Sequence, residues 1–202
     1  MPSGRLGSFC LCSGGIREDK NMKRQSFLIK YAEIGVKGKN RYVFEDALVK
    51  QIRLALKAVE GSFEVLRESG RIYVNALSEF EEEDVVAALK CVFGVAAICP
   101  MVQIEDLGFE ELKSQVLAYM EKVHGEGPFT FKVDARRANK QYPKTSEEIN
   151  RELGDVILQA FPKLSVDVHH PQVMLHVEIR SRINLYSEII PGPGGLPVGT
   201  NG

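Results

Sequence analysis

Two hydrophobic periods take turns along this chain, and their order predicts its elements. The apolar-rich run Phe27 to Ala32 predicts a buried strand, and Gly35 to Gly38 a turn. Asn40 is placed to cap a helix that carries Phe44, Ala47, Leu48, Ile52, Ala55 and Val59 on one face. Phe63 and Val65 alternate with Glu64 and Leu66 in a second strand, Glu68 to Arg71 reads as a hairpin turn, and Ile72, Val74 and Ala76 share one face of a third. A helix from about Glu82 to Cys91 turns Val85, Val86 and Leu89 inward and is closed by Gly94, and Val95 to Cys99 predicts a fourth strand. The order is βαββαβ, the split pattern of ferredoxin-like folds.

A second unit begins near Asp106. Its helix, Phe109 to Val123, has Leu112, Val116, Met120 and Val123 inward, with Gly125 after it. Phe129, Phe131, Val133 and Ala135 then alternate with Lys132, Asp134 and Arg136 as a strand. Thr145 and Glu148 have the spacing of a capping box, and Ile149, Leu153, Val156, Ile157 and Ala160 form the stripe of the helix that follows. Val173, Leu175, Val177 and Ile179 alternate with Met174, His176, Glu178 and Arg180, which predicts an amphipathic strand with its polar face toward water. Ser181 and Arg182 turn into a last strand, Asn184 to Ile190. Residues 191–202 are Gly/Pro-rich and read as a linker with nothing to pack against. The expected division is an N-terminal extension over 1–21, a ferredoxin-like unit over 22–104, a second α/β unit over 105–190 and a linker over 191–202. The extension is Gly/Ser-rich and aperiodic, with Met22 placed as a natural translation start.

Composition adds limits. A chain of 202 residues with 44% hydrophobic and 26% charged content can bury a core, and its net charge of −1 leaves anion binding to local patches. The longest apolar runs are too short to span a bilayer. The four cysteines contain no CxxC pair, which fits reduced thiols in a cytoplasmic protein. Cys91 and Cys99 are expected in the core; Cys10 and Cys12 lie in the extension.

The candidate chemistry sits at two strand–loop–helix corners. Arg136, Arg137, Asn139, Lys140 and Lys144, with Tyr142 among them, lie between a strand and the capped helix start. Cations beside a helix N-terminus attract phosphate. Lys37, Lys39, Asn40 and Arg41 repeat the scheme in the first unit, so two adjoining corners form a candidate track for a nucleic-acid backbone. The plain alternative is that these are solvated surface loops. Ser13-Gly14-Gly15 lacks the Asp-Ser and the preceding strand of an ATP-pyrophosphatase loop. His169, His170 and His176 lack the companions for a zinc site, and surface histidines are expected there. No catalytic constellation is found, and no cofactor or metal is expected.

KYAEIGVKGKNR, FKVDARRANKQYPKTSEEINRELG, HPQVMLHVEIR and NLYSEIIPGPGGLPVGTNG, in this order, resemble segments of the tRNA sulfurtransferase (tRNA 4-thiouridine synthase) family from Met22 to Gly202. The resemblance implies an α+β architecture, a ferredoxin-like domain followed by a THUMP domain, that binds tRNA at its acceptor end. In that family a following PP-loop domain uses ATP to activate a uridine, with sulfur supplied by a cysteine desulfurase, and the enzyme also serves thiamine thiazole synthesis. This sequence stops where the PP-loop domain would begin, so the expectation is a non-catalytic tRNA-binding region. A protein–protein or homodimerisation module, and a small-ligand regulatory domain, are the alternatives that the fold leaves open.

Overall fold

The computed structural model describes residues 25–31, 41–68, 70–138, 140–195 and 197. In the first unit, β1 (Ser26–Lys30) sends Phe27 and Ile29 into a helix layer and Leu28 to the opposite face, all three fully buried. The helices α1 (Arg41–Leu56) and α2 (Glu82–Leu89) supply Leu48, Ile52, Leu56, Val85 and Leu89 to that layer, which closes on Ile72, Val74 and Ile98. Each such burial contributes about 1.5–3 kcal/mol relative to exposure. The hairpin β2 (Phe63–Glu68) and β3 (Arg71–Ala76) pairs as its turn residues predict, and β3 and β4 (Ala97–Ile104) flank β1 antiparallel. The βαββαβ order is therefore realised.

The second unit packs α3 (Phe109–His124) and α4 (Ser146–Ala160) over one face of a further set of strands. These are β5 (Thr130–Arg137), β6 (Ser165–Val166), β7 (Val173–Ile179) and β8 (Ile183–Tyr186), with β9 (Ile190–Pro191) apart from them. β5 runs parallel to β6 and β7, and β7 antiparallel to β8. The whole order is β2-β3-β1-β4-β8-β7-β5-β6, with β9 on β4.

β4 belongs to both units. Residues 97–101 pair with β1, and Val102, Gln103 and Ile104 pair with β8. The fourth strand is thus longer than Val95 to Cys99 because a second set of partners extends it. Ile98 and Val102 enter the two helix-covered cores, so one face of the shared strand carries both. Between them, Cys99 and Met101 point to the opposite face and are fully buried with Leu28, Tyr73 and Tyr186. Among the described residues, no helix contributes to this third core. It is covered because the helix-free faces of the two half-sheets fold toward each other.

That folding corrects three expectations. The polar face of β7 is not a water face: Glu178 is 2% exposed, and His176 is buried too. The last strand is broken, with Tyr186 ending β8 and Ile190 starting a separate pairing with Ile98. The Gly/Pro segment after it does pack. Gly192 N–H donates to the Ala96 carbonyl at 3.0 Å, Gly194 N–H to Val95 at 2.8 Å, and Gly94 N–H returns to Gly194 at 2.7 Å. Ile190 joins the first unit's core and Pro197 is buried against Gly94. A Cβ at Gly192 would collide with the Val95 carbonyl, so the strap needs glycine there. Cys91 is also corrected: it is exposed at the end of α2, whereas Cys99 is core and burial pushes its thiol up to about 11. The N-cap reading of Asn40 lies outside the described residues, as do Cys10, Cys12 and the extension.

Candidate nucleic-acid interface

The β5–α4 corner is built by the capping box. Thr145 N–H donates to Glu148 Oε2 at 2.7 Å, and Glu148 N–H donates to Thr145 Oγ1 at 3.2 Å. The Thr145 N–H and hydroxyl both donate to the Glu148 carboxyl, and these bonds hold it below its usual range. The reciprocal cap also uses up one of the helix's free donors, and Glu147 and Glu148 occupy the first turn. Carboxylates there satisfy the positive end of the dipole. The helix start is thus already satisfied, and what this corner still offers an anion is its cations.

Those cations are not equivalent. Arg136 is 66% exposed and pairs with Asp134 at 3.2 Å, an arrangement that water and salt weaken. Lys140 is exposed in the turn. Arg137 points to the helix side of the strand, half-buried, and donates from a terminal nitrogen to the Tyr142 carbonyl at 3.4 Å. Its Nε and the Tyr142 hydroxyl are both buried and have no hydrogen-bond partner among the described residues. Lys144 is tied to Glu152 at 2.7 Å and lies 4.7 Å from the centre of the Phe109 ring, so it fastens the loop to α3 and α4. Asn139 lies outside the described residues. The surface that faces outward is Arg136 with Lys140; Arg137 and Lys144 brace it from behind.

In the first unit, Lys37, Lys39 and Asn40 lie outside the described residues, and Arg41 opens α1. Arg41 is held by Glu45 at 2.7 Å, by the Tyr31 hydroxyl at 3.1 Å and by the Gly70 carbonyl at 3.4 Å. Burial raises the Glu45 carboxyl, but bonds from Tyr31 and Arg41 and the charges of Arg41 and Arg67 outweigh it, and the net shift is downward. Arg41 is thus a clamp joining β1, α1 and the β2–β3 turn.

A group the sequence reading missed lies where the half-sheets meet. Glu178 accepts from Arg71 at 3.3 Å, from Arg180 at 3.3 Å and from the Tyr186 hydroxyl at 2.9 Å. Burial raises the Tyr186 phenol far above its ordinary value. His176 stacks on Tyr186 at 4.6 Å and meets Asp134 through Nδ1 at 3.0 Å. Its burial, more than any charge, lowers its pKa. This corrects the expectation of a surface histidine. His169 and His170 are exposed, and their N–H groups both donate to Asp167. Among the described residues no cluster of three or more His, Cys, Asp or Glu is placed to hold a metal, and no helix is long and apolar enough to cross a membrane.

Residues 26–99 match the family described as the ThiI ferredoxin-like domain, and residues 108–188 the THUMP domain. A Lachnospira eligens protein named "Probable tRNA sulfurtransferase" is 58% identical over 179 residues, 88% of this chain and 46% of its own length. The crystal structure of a 4-thiouridine synthetase–RNA complex with bound ATP is similar over 88% of this chain and 44% of that one, at 36% identity and a TM-score of 0.73. A Pyrococcus horikoshii protein is similar over 86% of this chain and 57% of its own, at 32% identity and a TM-score of 0.74. The chain spans about half the length of the curated relatives it matches, 46% and 45% of two of them. By both domains and their order, the chain belongs with the ThiI ferredoxin-like and THUMP families, and along that pair it is similar to the tRNA sulfurtransferases.

Proposed function

We propose that this domain pair is the tRNA-binding region of a tRNA sulfurtransferase that makes 4-thiouridine, engaging the acceptor end of tRNA. The observation that carries the reading is the 36% identity, over 88% of this chain, to a protein crystallised with RNA. The outward-facing cations of the β5–α4 corner, Arg136 and Lys140, fit it, and so does the first unit's Lys37, Lys39, Asn40 and Arg41 segment at its own strand-to-helix passage. In this reading, ATP use, sulfur transfer from a cysteine desulfurase and supply to thiamine thiazole synthesis in the cytoplasm belong to the longer relatives as wholes. The domain pair by itself binds RNA and carries no catalytic residue, cofactor or metal.

Titrating the purified chain with tRNA at several salt concentrations tests this. Phosphate contacts release counterions, so log K should fall linearly with log salt, with a slope near 0.9 per contact. No binding at low salt, or binding indifferent to salt, overturns the reading. ATP hydrolysis or tRNA thiolation by the purified chain would overturn its non-catalytic part.

A further inference from the structure

β3 and β7 are separated by β1, β4 and β8 in the sheet order. At about 4.8 Å per strand, a flat sheet would hold them about 19 Å apart. Arg71 at the start of β3 nevertheless reaches Glu178 of β7 at 3.3 Å. Two more contacts join the half-sheets, one from β2 to the turn after β7 and one from β1 to β8 across β4. Ser181 donates to Glu68 Oε1 at 2.8 Å, and the Lys30 ammonium lies 5.0 Å from the centre of the Tyr186 ring. The two half-sheets share β4 as a spine and are clasped by their hairpin tips, the β2–β3 turn against the β7–β8 turn.

Glu178 is the centre of that clasp. Its carboxylate is buried, and Arg71 comes to it from the ferredoxin-like unit while Arg180 and Tyr186 come from the THUMP unit. A buried carboxylate with partners on both sides holds one geometry, because any other opening angle would strand a desolvated charge. Lys30 is the further cation on this face, and it contributes to lowering the pKa of His176. Removing this buried carboxylate would leave Arg71 and Arg180, one from each unit, without the anion that they share.

We propose that Glu178 is a positioning residue: it sets the angle between the two domains, so that their basic surfaces meet one tRNA in register. The proposal rests on the tRNA-binding reading for its functional half only. Surfaces held at a fixed spacing act as one bivalent site, and that gain is lost when the spacing fluctuates. The buried carboxylate does not touch RNA.

The sign of one substitution separates positioning from charge. Glu178→Gln makes the protein one charge more positive, which by electrostatics alone tightens tRNA binding. If Glu178 positions the domains, binding weakens about tenfold instead, with the salt slope kept, since no phosphate contact is lost. Residual dipolar couplings on the labelled full chain supply the second readout. Wild type should fit one alignment tensor across both domains, and Glu178→Gln two. Arg71→Met, made from the other side of the clasp, should reproduce both changes and add little in the Glu178→Gln background. A single tensor in the variants, or unchanged or tighter tRNA binding with two tensors, overturns the proposal. If Glu178→Gln does not fold, Arg71→Met carries the test, and failure of both to fold shows a structural role only and also overturns it. Failure of wild type to bind tRNA would sink the functional reading while leaving the tensors to decide the clasp.

Discussion

Arg136 and Arg137 are neighbours in sequence and opposites in structure, so replacing each with alanine should give different kinds of defect. Arg136 is exposed and pairs with Asp134 at 3.2 Å. Its loss should cost under about 1 kcal/mol of stability, as for surface pairs generally. It should also lower the salt slope of tRNA binding by about 0.9, one phosphate contact. Arg137 is half-buried, and it holds the Tyr142 carbonyl at 3.4 Å. Its loss removes that bond, about 1 kcal/mol net, and part of the packing of its stem, so about 1–2 kcal/mol in all. The salt slope should then stay close to wild type while affinity falls as the corner loosens. Urea unfolding gives the stabilities, and fluorescence titration at four salt concentrations gives the slopes. An unchanged slope for Arg136→Ala, or a lower slope with no loss of stability for Arg137→Ala, would refute this division of roles.

Thr145→Ala removes the acceptor of the Glu148 N–H and should cost about 1 kcal/mol in a chemical melt, with the fold retained. His176 has a folded-state pKa below 6.5, so the unfolded chain binds its proton first. Stability should therefore fall as pH drops from 6.5 toward that lower folded value, and His176→Gln should flatten the profile in that window; an unchanged profile contradicts this. Around His176 lie Asp134, which favours its charged form, Lys30 and Arg136, which oppose it, and the stacked Tyr186 ring. Gly192→Ala would drive a methyl into the Val95 carbonyl and should detach the strap, visible as faster hydrogen exchange at Gly192 and Gly194 and a lower melting temperature.

Local chemistry was legible in the sequence. Thr145 and Glu148 announced a capping box by spacing alone, and the alternation of Phe131, Val133 and Ala135 placed the β5 core face correctly. What escaped were contacts between residues far apart in the chain. Glu178 sits on the polar side of a clean period-2 pattern, which reads as a water face; it is buried because Arg71, 107 positions away, closes over it. The same folding hides Met101 beside Cys99, whose place in the core was expected, and pairing with β8 lengthens β4 past Cys99. The Gly/Pro strap has no hydrophobic period to detect, and its packing rests on backbone bonds to Val95 and Ala96. The site residues divided along similar lines. The pattern located the basic corner, but not that Lys144 would be committed to Glu152 or that Arg137 would turn inward.

Acceptor-end recognition is decided by comparing intact tRNA with the same tRNA trimmed of its 3′ end. Measured side by side at one low salt concentration, intact tRNA should bind at least about tenfold tighter, a difference of about 1.4 kcal/mol. Equal affinity for the two would contradict recognition of the acceptor end by this domain pair.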